Sequence, residues 1–94
     1  MTKDQQKAYE ALILIRKARN NRTDEAAALK IRAQKPFNAL RHIPHEAAEL
    51  LNSLYIDMLP RKVLAERKGI TLQELEKLDN EALKTYGAQL RKEK

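Results

Sequence analysis

The chain contains no cysteine, which excludes disulfides, thiolate metal sites and a cysteine nucleophile and suits a reducing compartment. Aromatic residues are limited to Tyr9, Phe37, Tyr55 and Tyr86, so the core has to be built from aliphatic side chains. Only two glycines, Gly69 and Gly87, and three prolines, Pro36, Pro44 and Pro60, are present. The turn chemistry of an all-β fold is therefore missing. Serine occurs once, at Ser53, with no histidine at suitable spacing, and there is no glycine-rich phosphate loop. A nucleophilic triad has no obvious members, and the chain reads as non-enzymatic, with no cofactor. No apolar run approaches membrane-spanning length. Residues 1–21 do not have the form of a signal peptide, because the apolar run Ala11 to Ile15 is short and followed by basic residues. A soluble, cytoplasmic protein is the expectation.

What is abundant is Leu, Ile and Ala, interleaved with charge at helical spacing. Ninety-four residues suffice for one domain with a modest core, spanning 1–94. The expected fold is all-α, a small bundle of about five helices. Residues 1–45 form a basic helical hairpin, and residues 46–94 form a central helix followed by a tight two-helix corner at Gly69.

Charge is unevenly placed. Residues 1–45 carry ten Lys or Arg against four Asp or Glu, whereas residues 46–94 carry nine of each, so the whole net charge of +6 resides in the first half. A pI near 9.7 on a chain of this size points to a polyanionic partner. Arg16, Lys17, Arg19, Arg22, Lys30, Arg32, Lys35 and Arg41 are the candidate nucleic-acid contacts, because they outnumber what helix C-termini require. If the first two helices form a hairpin, these side chains could converge into one positive surface.

Taken in order, Ala8, Ala11, Leu12, Ile15 and Ala18 predict an amphipathic helix from Asp4 to Arg19, with Ile13 and Leu14 lying off the main stripe and contacting further neighbours. Asn20 and Asn21 mark its end. Thr23 caps a second helix with Asp24 and Glu25 in its first turn, running to Lys35 and packing Ala26, Leu29, Ile31 and Ala33 inward. Pro36 disfavours helix at Lys35 and introduces a short apolar segment of Phe37, Leu40 and Ile43, with Phe37 as a core anchor. Pro44 opens the expected central helix, His45 to Leu59, with Ala47, Leu50, Leu51, Leu54, Tyr55 and Met58 on its apolar face. After Thr71 the apolar pattern continues nearly to the end, with Asp79-Asn80 as a candidate break and Gly87 weakening the last turns.

The stretch Arg61 to Leu78, RKVLAERKGITLQELEKL, carries the clearest device. Ala65 is small on the inner face of a first helix, Gly69 follows four residues later at a reversal, and Thr71 with Glu74 forms a capping box for a second helix. Leu64, Ile70, Leu75 and Leu78 would seal the pair. This stretch resembles the helix-turn-helix of DNA-binding domains, although Lys68 stands where the family usually has an apolar residue. The resemblance implies a second helix lying in the major groove, with Thr71, Gln73 and Lys77 as candidate base-reading residues. It also implies a regulatory role on DNA, ahead of RNA, and a possible homodimer.

Gln73, Glu74, Glu76 and Lys77 would point outward, followed by Asp79, Asn80 and Glu81, and carboxylates oppose phosphates. This acidity supports the alternative of a protein-binding adaptor or inhibitor that presents helical faces to a partner. His42 and His45, with Glu46 and Glu49, have metal-ligand chemistry but not a shared face, and they read as capping and surface residues, with no metal. The pairs Glu46/Glu49 and Asp79/Glu81 read as solvated helix faces.

Overall fold

The computed structural model describes residues 2–20 and 26–93, and among these it contains five α-helices and no strand. The chain is all-α, as its composition requires. Helix α1 spans Lys3–Asn20, α2 Ala26–Arg41, α3 His45–Leu51, α4 Arg61–Lys68 and α5 Leu72–Lys92; a π turn, Asn52–Ile56, continues α3. The capping predicted at Thr23, Asp24 and Glu25 lies outside the described residues.

Helix α1 starts one residue before its apolar pattern suggests, because Thr2 and Gln5 form a reciprocal cap. Gln5 N–H donates to Thr2 Oγ1 at 3.2 Å, and Thr2 N–H donates to Gln5 Oε1 at 2.9 Å. Ala8, Ala11, Leu12, Ile15 and Ala18 are buried as their spacing demands. The same helix touches α2, α5 and the π turn, which accounts for the partial burial of Ile13 and Leu14.

The bundle is organised around α1 and α5 rather than around the helix after Pro44. Gly87 makes this possible: a Cβ there would lie 2.6 Å from the Asp4 carbonyl carbon, so the two backbones approach at a distance only glycine permits. Gly87 is thus a packing residue and not merely a weak point near the helix end. Tyr86, Leu12, Leu51, Leu75 and Leu83 are the largest fully buried side chains and form the centre of the core.

Three predicted boundaries are corrected. Helix α2 does not stop at Lys35 but passes through Pro36 to Arg41. A proline inside a helix costs about 3 kcal/mol. Here Ala33, Ala39 and Leu40 bury on either side of it, and the Tyr86 hydroxyl donates to the Pro36 carbonyl at 2.7 Å. Tertiary packing overrides the local preference. The helix after Pro44 is α-helical only to Leu51, then widens into the π turn, and Met58 takes a left-handed φ of 58°, so helix does not reach Leu59. Finally, α5 is continuous through Asp79-Asn80, since Asp79 is buried and paired and the Asn80 carbonyl accepts from Gln5 Nε2 at 3.1 Å.

Burial corrects further assignments. Phe37 is no core anchor: it is 49% exposed, while Leu40 and Ile43 beside it are buried. Ile31, Met58 and Leu78, each expected to face inward, are exposed.

Candidate nucleic-acid interface

The corner at Gly69 has the backbone geometry read from its residues, while the capping box is half formed: Thr71 caps Glu74 N–H, and among the described residues the Glu74 carboxylate does not return a bond to Thr71. Leu64 and Ala65 are buried in α4. Gly69 sits in the left-handed region at φ 68°, ψ 33°. Ile70 N–H donates to the Ala65 carbonyl at 3.0 Å and Gly69 N–H to the Glu66 carbonyl at 3.2 Å, which together close the end of α4 as a Schellman motif. Thr71 is the N-cap of α5, its hydroxyl accepting from Glu74 N–H at 3.1 Å. Leu75 is fully buried and Ile70 partly so, and these seal the corner, whereas Leu78 is exposed and does not.

Residues 73–84 of α5 present both signs of charge to solvent. Leu75, Asp79, Ala82, Leu83 and Tyr86 define the buried side. At 100° per residue, Lys77 and Lys84 lie most nearly opposite that side, with Glu81 and Gln73 next to them, and all four are exposed. Glu74 and Asn80 lie farther round on either side, and Glu76 farther still toward the buried side. The outermost face therefore mixes the cations of Lys77 and Lys84 with the Glu81 carboxylate. Thr71 is exposed at the helix start, so all three candidate base-reading residues are open to solvent.

The basic residues of the first two helices divide into groups. Arg16 and Arg19 reach the segment that leads into α4: Arg16 donates to the Met58 sulfur, and Arg19 Nη1 lies 3.3 Å from Asp57 Oδ1. Lys17 and Arg32 come together with Lys7 along a shallow depression between α1 and α2 that also includes Glu10 and Leu90. Lys30 and Arg41 share a stripe of α2 with Gln34 and Phe37, spaced i, i+4, i+7 and i+11. Lys35 lies on the flank toward Glu93. The Glu93 carboxyl is held below its ordinary range by hydrogen bonds from His42 and Gln89, with the charges of His42 and Lys35 adding to the effect. Arg22 lies outside the described residues. The structure brings together Arg16 with Arg19, Lys17 with Arg32, and Lys30 with Arg41; Arg19 also borders the depression that Lys30 lines, whereas Lys17 and Arg32 lie on a different flank.

A polar cluster that the sequence reading placed on a solvated face ties the corner to the rest of the bundle. Asp79 is 4% exposed. Its carboxylate accepts from the Tyr55 hydroxyl, 2.8 and 2.9 Å from its two oxygens, and from Arg61 Nη1 at 2.9 Å. One carboxylate thus joins the π turn, the start of α4 and the first half of α5. Burial, then the hydrogen bond and charge of Asp79, push the Tyr55 hydroxyl up to about 12. Burial works against the charge of Arg61, but its hydrogen bonds to Asp79 and Tyr55 outweigh this and raise its pKa. The signal was in the spacing: Asp79 falls four after Leu75 and four before Leu83, on the apolar stripe.

Among the described residues no group of three or more His, Asp or Glu side chains is placed to hold a metal ion, and no helix is long and apolar enough to cross a membrane. Comparison with protein-family models, curated proteins and solved structures finds no match for this chain.

Proposed function

We propose that this chain is a small, non-enzymatic, cytoplasmic regulatory protein that binds nucleic acid, DNA ahead of RNA, through the α4–α5 corner. The observation that carries this reading is the outward stripe of α5. Gln73, Lys77 and Lys84 project, beside Glu81, from a helix whose start is fixed by a left-handed glycine and a threonine cap. Side chains of these types hydrogen-bond to base edges and phosphates, and a helix presenting them fits a major groove. Arg16 and Arg19, beside residues 57–58 at the entry to α4, are proposed as additional phosphate contacts. Lys62, Arg67 and Lys68 on α4 are exposed and add to the cationic surround. The carboxylates of Glu74, Glu76 and Glu81 lower affinity for any duplex and raise the share of binding that depends on correct docking.

The experiment is a fluorescence-anisotropy titration of the chain against duplex DNA, single-stranded DNA and RNA at about 50 and about 200 mM salt, since each phosphate contact releases counterions. Duplex binding that weakens at least about ten-fold between the two salts supports the reading. Binding that ignores ionic strength, or no binding to any of the three, contradicts it.

A further inference from the structure

A second surface lies on the first three helices, and none of its lining residues comes from α4 or α5. Two depressions, of about 460 and about 250 Å³, meet at the exposed ring of Phe37. The smaller is floored by Ile15, Ala18 and Ala33, and the larger by Leu40, Ile43 and Ala48. The rim carries Arg19, Lys30 and Arg41 against one described carboxylate, Glu49, which itself faces His45 at 3.6 Å. Arg41 packs its guanidinium 5.6 Å from the centre of the Phe37 ring, the only Phe of the chain, on the exposed stripe of α2.

We infer that this groove docks an acidic amphipathic helix of a partner protein. The floor is apolar and concave, which suits a row of apolar side chains. The phosphate backbone of a duplex is convex and polar and would leave both depressions unfilled. From Lys30 to Arg41 the α2 stripe extends about 16 Å, the length of about three turns of a partner helix laid along it. A carboxylate near each end of that helix meets Lys30 or Arg41, and its apolar face packs on Phe37, Leu40 and Ala33. An aromatic residue beside an arginine at the centre of an apolar patch is the composition in which binding energy concentrates. The groove shares only Arg19 with the proposed nucleic-acid surface, and Phe37, Lys30 and Arg41, which test it, lie outside the α4–α5 corner.

The probe is a labelled amphipathic peptide of about four turns, with leucines at i, i+3, i+4 and i+7 and glutamates on both flanks, compared with the same peptide carrying lysines in place of the glutamates. The acidic peptide is expected to bind at least about ten-fold tighter than the basic one. Phe37→Ala is expected to weaken it about ten-fold, and Lys30→Glu combined with Arg41→Glu to reverse the preference between the peptides. Circular dichroism checks that both variants remain helical, which their exposure favours. Equal binding of the two peptides, indifference to all three substitutions, or loss of duplex DNA binding in these variants with no binding of the acidic peptide would each overturn the inference. So would a change in the mass of the chain alone on sedimentation when Phe37 is replaced, since a second copy would then be the occupant.

Discussion

The hydroxyl of Tyr55 lies 2.8 Å from one carboxylate oxygen of Asp79 and 2.9 Å from the other, and this contact joins the π turn to α5. Arg61 completes the cluster from the start of α4. This buried carboxylate is the polar link among the three segments that set the angle of the α4–α5 corner. Arg61 is half exposed, so solvent screens its attraction to Asp79. Asp79→Ala should therefore lower unfolding stability by about 1–3 kcal/mol, most of it from stranding the Tyr55 hydroxyl and the Arg61 guanidinium. Tyr55→Phe should cost about 1 kcal/mol. Urea unfolding checks both; unchanged stability in Asp79→Ala would mean that the cluster does not hold the corner.

A pH dependence follows from the same contact. The Tyr55 hydroxyl is raised from 10.0 to about 12 in the fold, and burial raises that of Tyr86 in the same direction. Because the folded state holds these protons more tightly than the unfolded chain, their contribution to stability is fully present below pH 10 and is lost as pH rises from 10 toward 12 and beyond. Thermal unfolding followed by circular dichroism should give a melting temperature that falls above pH 10. Tyr55→Phe should make that fall shallower, and an identical alkaline slope in the two proteins would contradict the assignment.

The two glycines make opposite demands and can be told apart. At Gly69 nothing lies within 4 Å of an added Cβ, so Gly69→Ala meets only the left-handed backbone and should cost about 1 kcal/mol. At Gly87 the backbone is ordinary helix, and propensity alone would favour alanine by about 1 kcal/mol. The added methyl would nevertheless collide with the Asp4 carbonyl, which forces α1 and α5 apart and should reverse the sign, costing about 1–3 kcal/mol. Equilibrium unfolding of the two variants decides the matter. A stabilised Gly87→Ala would show that the helices are not in close contact there.

The parts of the fold that were legible in the sequence are those set by local chemistry. Helix α1 follows from alanine and leucine spacing, and the Gly69 corner follows from one glycine, one threonine cap and one small inner residue. The rest depended on contacts distant in sequence. Pro36 reads as a stop, yet Tyr86, fifty residues later, donates to its carbonyl within a continuous helix. Phe37 reads as core because it is large and lies near Leu40, but continuation of α2 through Pro36 puts it on the exposed stripe with Lys30, Gln34 and Arg41. Asp79 reads as a surface acid until its position on the α5 stripe is counted against Leu75 and Leu83. For the candidate interface, the types of residue were legible and their grouping was not. The cations of α1 and α2 are close in sequence, but helical rotation sends Arg16 and Arg19 to one flank and Lys17 to another.

The central claim is that the outward face of α5 approaches phosphates, and it is tested most directly by reversing the carboxylates beside its polar stripe. Glu74→Lys combined with Glu76→Lys changes exposed residues only, so the fold should persist. Duplex DNA affinity is then measured against the native chain by fluorescence anisotropy at low salt. The account predicts binding about ten-fold tighter, with a steeper dependence on salt, because two repulsive charges beside the groove become attractive. Unchanged or weaker duplex binding by this variant would contradict it.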